Sequence, residues 1–178
     1  MTATDVLTML RAATGDPAAV GGRLTDRLAH AHDASHFALV PRAVVTPRTA
    51  AEVGRVCGAA RDAGLPLAFR SGGTSLSGQA GTDGVLLDVR RHFRDIEVLD
   101  DGARVRVGPG ATVRQVNARL VRFGRKLGPD PASEVACTVG GVVANNSSGM
   151  ACGTRANSYA TWSRSSSCSP PGPCSTAR

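Results

Sequence analysis

Apolar positions along the chain alternate between helical and strand spacing, and the changes of period outline the elements. Val6, Leu7 and Leu10 share one side of a first helical segment, and Val20, Leu24 and Leu28 recur at helical spacing in a second. Gly15-Asp16-Pro17 and then His32-Asp33-Ala34-Ser35 interrupt these segments, so residues 1–35 are expected to form a helical N-terminal extension. Phe37 to Val40 reads as extended; Pro41 and Pro47 bias their predecessors toward β and place a strand at Ala43 to Val45. Thr49-Ala50-Ala51-Glu52 has the form of a capping box, with the hydroxyl taking the N3 amide and the carboxylate reaching back to the cap amide. Val53, Val56, Cys57 and Ala60 then follow at i, i+3, i+4 and i+7, and Gly64 stands where a helix-ending glycine belongs.

Leu65 to Phe69 reads as the next strand and Gly84 to Asp88 as a short buried one. Ile96 to Leu99 and Ala103 to Val107 alternate around Asp100-Asp101-Gly102, a hairpin signal. Thr112-Val113-Arg114-Gln115 is a second capping box, opening a helix with Val113, Val116 and Leu120 inward and an end near Gly124. The order β-α-β, loop, β, hairpin, α is that of an α+β or mixed α/β chain. It is not a Rossmann unit, because no GxGxxG joins a strand directly to a helix.

Two stretches lack either period. Arg70-Ser71-Gly72-Gly73-Thr74-Ser75-Leu76-Ser77-Gly78-Gln79 follows a strand, at the carboxyl end where open α/β sheets bind ligands. Its glycines admit positive φ, so successive N–H groups can point inward around an anion while Thr74, Ser75 and Ser77 add hydroxyl donors. A Gly/Ser-rich surface turn is the plainer alternative. The second stretch, residues 123–154, is too polar and glycine-rich for a simple connection. Pro129-Asp130-Pro131 fixes an extended turn, and Thr138 precedes Gly140-Gly141, where a helix N-terminus can face a second polar ligand atom. Asn145, Asn146, Ser147, Ser148 and Gly149 add amide and hydroxyl groups, although paired Asx turns would use the same residues. Two donor-rich loops separated by a whole βαβ-like stretch favour one large polar ligand touching both.

Composition narrows the classes. Across 178 residues, 42% are hydrophobic but only 3% aromatic, so Ala, Val and Leu must make the core. No apolar run reaches membrane-spanning length and the N-terminus has no signal-peptide pattern, which gives a cytoplasmic address as the expectation. Net charge is +7, carried almost wholly by arginines that are scattered rather than clustered, apart from Arg90, Arg91 and Arg94. With stacking aromatics nearly absent, a general anion preference is expected and nucleic acid is not. Cys57, Cys137, Cys152, Cys168 and Cys174 show no metal-finger spacing and read as free thiols. His30, His32 and His36 lack an ordered set of further ligands, so no metal site is expected.

The first loop, together with Gly128-Pro129-Asp130-Pro131-Ala132-Ser133 and the run Gly140 to Met150, resembles the FAD-binding domain of the p-cresol methylhydroxylase / vanillyl-alcohol oxidase superfamily. Within it the chain is most similar to D-lactate, glycolate and D-2-hydroxyglutarate dehydrogenases, in the long bacterial form with a C-terminal iron–sulfur region. The likeness covers roughly residues 35–161 and implies a PCMH-type domain of two small α/β subdomains over 36–161. It implies that Arg70, Ser71, Gly72, Gly73, Thr74, Ser75, Leu76, Gly78 and Gln79 wrap the FAD pyrophosphate. Pro129, Asp130, Ser133, Thr138, Gly140, Gly141, Asn145, Asn146, Ser148 and Gly149 would border the rest of the dinucleotide and the isoalloxazine. Relatives with covalent flavin often carry a histidine in the first loop; this loop has none, so non-covalent FAD is expected. Cys152, beside the second motif, reads as a small packing residue or a flavin contact.

The resemblance further implies a small-molecule D-2-hydroxy acid as substrate, a base in a cap domain that takes the hydroxyl proton, and hydride transfer to FAD. It leaves the electron acceptor open and adds a peripheral position at the inner face of the membrane as a second address. Two other readings stand beside it: an FAD-dependent sugar or alditol oxidase, and a non-catalytic anion- or nucleotide-binding fragment.

From Trp162 the composition changes abruptly to a Ser/Pro-rich run. Tryptophan, cysteine and TCN serine codons all begin with T, and in a frame shifted by two bases that T becomes the middle base, which encodes only Phe, Leu, Ile, Met or Val. One consistent shifted reading is Val-Val-Glu-Val-Val-Val-Leu-Leu-Pro-Ser-Gly-Thr-Val-Leu-Asp, the strand and turn that the superfamily implies here. Residues 162–178 are therefore expected to be out of frame, or else a disordered tail. On that reading the chain is truncated and inactive alone: the end of the flavin domain, the catalytic cap residues and any iron–sulfur cluster lie outside it.

Overall fold

The computed structural model describes residues 2–163, 165–167 and 175–177. It divides into two units, one of residues 1–92 with the last strand pair and one of residues 93–163.

The first unit begins with α1 (Ala3–Thr14), opened by a complete capping box between Thr2 and Asp5. The expectation of a second helix from Val20 is corrected. Val20–Gly21 is strand β1, and helix α2 (Leu24–Leu28) starts only beyond it, with Leu24 and Leu28 on the surface. Gly21-Gly22 breaks the helix, and β-branched Val20 is better buried beside β2 (Ala43–Val45), with which β1 pairs antiparallel.

Helix α3 (Ala50–Asp62) follows, capped by Thr49 Oγ1, which accepts from the Glu52 amide at 3.2 Å. Only half of the expected box forms, because Glu52 accepts from the Arg48 amide instead of that of Thr49. Strands β3 (Leu67–Arg70) and β4 (Val85–Asp88) complete a sheet ordered β1-β2-β4-β3, in which β2, β4 and β3 run parallel.

β2 and β4 are buried along their whole length, which is why their sequences are apolar runs without alternation. Val6 and Leu10 of α1 and Val56 and Ala60 of α3 pack on Ala43, Val45, Val85 and Leu87 in one core. Each such Val or Leu contributes roughly 1.5–3 kcal/mol of burial free energy. The expected N-terminal extension is thus held by the same core as the sheet.

In the second unit, β5 (Ile96–Leu99) and β6 (Arg104–Val107) form the expected hairpin. Helix α4 (Val113–Leu120) carries a full capping box between Thr112 and Gln115. It buries Val116 and Leu120 against the hairpin residues Ile96, Val98, Val105 and Val107. Short helices α5 (Val139–Ala144) and α6 (Ser158–Thr161) close the unit.

Strands β7 (Ser165–Ser167) and β8 (Ser175–Ala177) pair antiparallel. The remaining positions concerned in the expected frame shift, 164, 168–174 and 178, lie outside the described residues. Among the described residues no helix is long and apolar enough to cross a membrane.

Candidate functional site

At the carboxyl edge of the parallel strands, β3 ends at Arg70 and the chain leaves the sheet as an irregular loop through Gln79. Gly73 and Gly78 take φ of +66° and +73°. A side chain at either would be strained and would also collide: a Cβ on Gly73 would lie 2.7 Å from Arg70 Nη2, and one on Gly78 would lie 2.6 Å from the Phe37 ring. The backbone N–H groups of Gly72, Gly73, Thr74 and Ser75 donate to no protein acceptor among the described residues. Ser71 and Thr74 are half-buried and Leu76 is exposed. The loop's second half closes on Ser75, whose Oγ donates to Gln79 Oε1 at 2.9 Å and accepts from the Ser77 amide at 3.1 Å. Consecutive amides without protein acceptors in such a turn are donors available to an anion.

Beneath that loop lies a charged cluster that sequence reasoning did not find. Arg70 is 7% exposed and Asp88, its register partner on β4, is also buried. Asp88 Oδ2 accepts from Arg90 Nη2 at 2.7 Å and lies 3.4 Å from His30 Nε2. Burial alone would raise the Asp88 carboxyl, but the His30 and Arg90 bonds outweigh it and hold the group well below the usual carboxylate range. Burial pushes the Arg70 guanidinium down, with Arg90 adding to the effect. The only signal in the chain was Asp88-Val89-Arg90 at a strand end.

The second stretch divides its residues between scaffold and open groups. Pro129 is buried. Asp130 accepts from the Ala151 amide at 3.1 Å and the Cys152 amide at 3.2 Å. Burial acts to raise its carboxyl, yet these amides and Lys126 leave it below its ordinary value. The Ser133 carbonyl accepts from the amides of Ala136 and Cys137, both at 2.8 Å.

Thr138 is the N-cap of α5, yet its hydroxyl makes no cap bond and is buried without a partner among the described residues. The Gly140 amide is spent on the Pro109 carbonyl at 3.0 Å. The Gly141 amide has no protein acceptor among the described residues. Asn145 Nδ2 donates to Ser147 Oγ at 3.3 Å, and Asn146 Oδ1 accepts from the Tyr159 amide at 3.0 Å. Ser148 is exposed and Gly149 packs on Asp130. Cys152 Sγ donates to the carbonyls of Gly149 and Gly153, and its side chain also bonds the Asp130 carboxylate.

Among the described residues no group of three or more His, Cys, Asp or Glu side chains is placed to hold a metal. The described cysteines are free.

Residues 41–163 match the family model described as FAD binding domain. The chain belongs to the FAD-binding domain family. It is 35% identical over 141 residues to a D-2-hydroxyglutarate dehydrogenase of Pantoea ananatis, and 36% identical over 141 residues to one of Escherichia coli. Each match covers 77% of this chain and 14% of the relative, so the chain spans about one seventh of the length of these proteins. Among solved structures, p-cresol methylhydroxylase with substrate bound superposes with a TM-score of 0.65 at 18% identity. That match covers 81% of this chain and 29% of the other, and it shows the PCMH-type α+β fold expected from the motifs.

The structure of this FAD-binding domain fits its cofactor on its own evidence. A dinucleotide brings a pyrophosphate, and the 72–75 loop offers amides with no protein acceptor among the described residues at the carboxyl end of β3, one of the three parallel strands. In the second unit, considered by itself, the Thr138 hydroxyl and the Gly141 amide have no protein partner among the described residues.

Proposed function

We propose that this chain is the cofactor-holding part of a flavin-dependent dehydrogenase that oxidises a D-2-hydroxy acid of the D-2-hydroxyglutarate, D-lactate or glycolate type. The observation that carries the reading is the run of four unspent amides, Gly72 to Ser75, at the carboxyl end of β3. The relatives' names supply the substrate class. Bound FAD supplies the acceptor for the two electrons removed from the substrate.

The residues of this chain bind and orient. The loop amides and the Thr74 hydroxyl hold the pyrophosphate oxygens, with Gly72 and Gly73 allowing close backbone approach. No residue of the loop is a nucleophile able to bond the flavin as histidine does, so the cofactor is held non-covalently.

The test is a flavin spectrum of the purified protein followed by acid precipitation. Flavin is expected in the supernatant. Flavin retained in the pellet would overturn non-covalent attachment, and failure of added FAD to bind at micromolar concentration would overturn the whole reading. Because the catalytic cap residues are expected to lie outside this chain, the flavin-loaded fragment should reduce no dye with D-2-hydroxyglutarate, D-lactate or glycolate, and robust D-lactate oxidation by it would overturn that expectation.

A further inference from the structure

Arg70 is the first residue of the anion loop and the obvious candidate for a phosphate ligand, yet its guanidinium Nη1 and Nη2 are spent on backbone carbonyls. Nη2 donates to the His32 carbonyl at 2.6 Å and Nη1 to the His30 carbonyl at 3.3 Å. The group is buried, and its face packs under Gly73, where even a methyl would meet Nη2 at 2.7 Å and Cζ at 2.9 Å. The Ala34 amide donates to the Gly73 carbonyl at 3.0 Å, tying the same backbone segment to the loop a second time. Phe37 fills the space beside Gly78, and the His32–Ala38 bridge with the Leu39-to-Ala31 bond at 2.9 Å holds the segment in a closed turn. Two buried polar atoms at this junction, Arg70 Nε and Asp33 Oδ2, have no hydrogen-bond partner among the described residues. All the bracing backbone lies before residue 41, where the family match begins.

From this geometry we infer that Arg70 is a positioning residue that mounts the FAD loop on backbone 30–34, and is not itself a phosphate ligand. A planar fork fixes two carbonyls at once, which a single ammonium cannot do. The loop's unspent amides are aimed by this mount, and the N-terminal segment is a working part of the cofactor site. The inference rests on the proposed FAD role of the loop, but its first readout does not require FAD.

The experiment compares the 178-residue wild type with Arg70→Lys and Arg70→Met. Amide exchange is read by NMR without FAD, and FAD affinity by titration. A mount predicts that the Ala34 amide exchanges at least tenfold faster in both variants while the Leu86 and Leu87 amides of the sheet keep their protection. It also predicts that Lys rescues neither this nor FAD binding, which weakens at least tenfold in both. A direct phosphate ligand predicts unchanged Ala34 exchange and binding largely restored by Lys, and that result overturns the inference. A uniform rise in exchange across the sheet also overturns it in favour of a general stabilising role. Should Arg70→Met fail to fold, Arg70→Lys alone carries the comparison, since it keeps the charge and removes the fork. If the wild type itself binds no FAD, the functional reading fails while the Ala34 result still decides the mount.

Discussion

His30 Nε2 lies 3.4 Å from Asp88 Oδ2, while Nδ1 of the same ring lies 2.8 Å from the Asp26 carbonyl. Both partners only accept, so the ring satisfies both when both nitrogens carry protons. The bond to Asp88 accordingly raises the His30 pKa above 6.5; burial opposes it, the Asp26 carbonyl supports it, and nearby Arg70 works against it.

A pH signature follows from the sign of these shifts. A raised imidazolium pKa contributes stability that is fully present below the unfolded value of 6.5 and is lost as pH climbs through the folded value. For Asp88 the folded pKa is depressed, so its contribution is present above the unfolded value of 3.8 and is lost only as pH falls through the folded one. The pair is therefore strongest between about pH 4 and the upper His30 transition. His30→Gln is expected to cost about 1 kcal/mol at pH 6, a figure discounted for partial solvent screening, and close to nothing at pH 9. Urea unfolding at the two pH values measures it; an equal loss at both would mean that the ring is neutral in the folded chain.

Leu10 is fully buried and Leu28 is 51% exposed, although both lie in the same helical N-terminal region. Leu10→Ala should cost about 2–5 kcal/mol through lost burial and a cavity beside the sheet. Leu28→Ala should change stability by about 0.5 kcal/mol or less. Denaturant midpoints of the two variants give the comparison. A Leu10→Ala loss below 1 kcal/mol would show that α1 is not part of the core that holds the loop-bearing strands.

What was readable in the chain follows from which groups carry the information. The capping box at Thr112 and the Asp-Gly hairpin are side-chain or backbone-strain signals within a few residues, and both form. The glycine loop was legible for the same reason, since Gly73 and Gly78 mark positive φ. Val20 misled because its spacing to Leu24 and Leu28 is helical, while the Gly21-Gly22 break and the free edge of β2 decide its state. The mount under Arg70 was invisible: its acceptors are the carbonyls of His30 and His32, and a backbone carbonyl has no sequence signature. The Asp88 cluster was hidden because His30 and Asp88 meet only through the fold, 58 positions apart in the chain.

Asp130 and Gly149 make the most restrictive contact in the second unit, and they separate scaffold from ligand among the motif residues. The Asp130 carboxylate holds the Ala151 and Cys152 amides, and a Cβ on Gly149 would lie 2.0 Å from Oδ1 and 2.3 Å from the Asp130 carbonyl oxygen. Asp130→Ala removes both acceptors, so the Ala151 and Cys152 amides should exchange at least tenfold faster, with Asp130→Asn intermediate because one oxygen remains. Because the Asp130 pKa is lowered, protection of these amides, corrected for intrinsic exchange, should persist above 3.8 and fade as pH falls through the folded value. Gly149→Ala should not be rescued by Asp130→Ala, since the carbonyl clash survives loss of the carboxylate. Rescue in the double variant would show that the backbone there yields, and unchanged exchange in Asp130→Ala would free the carboxylate for a direct role at the cofactor.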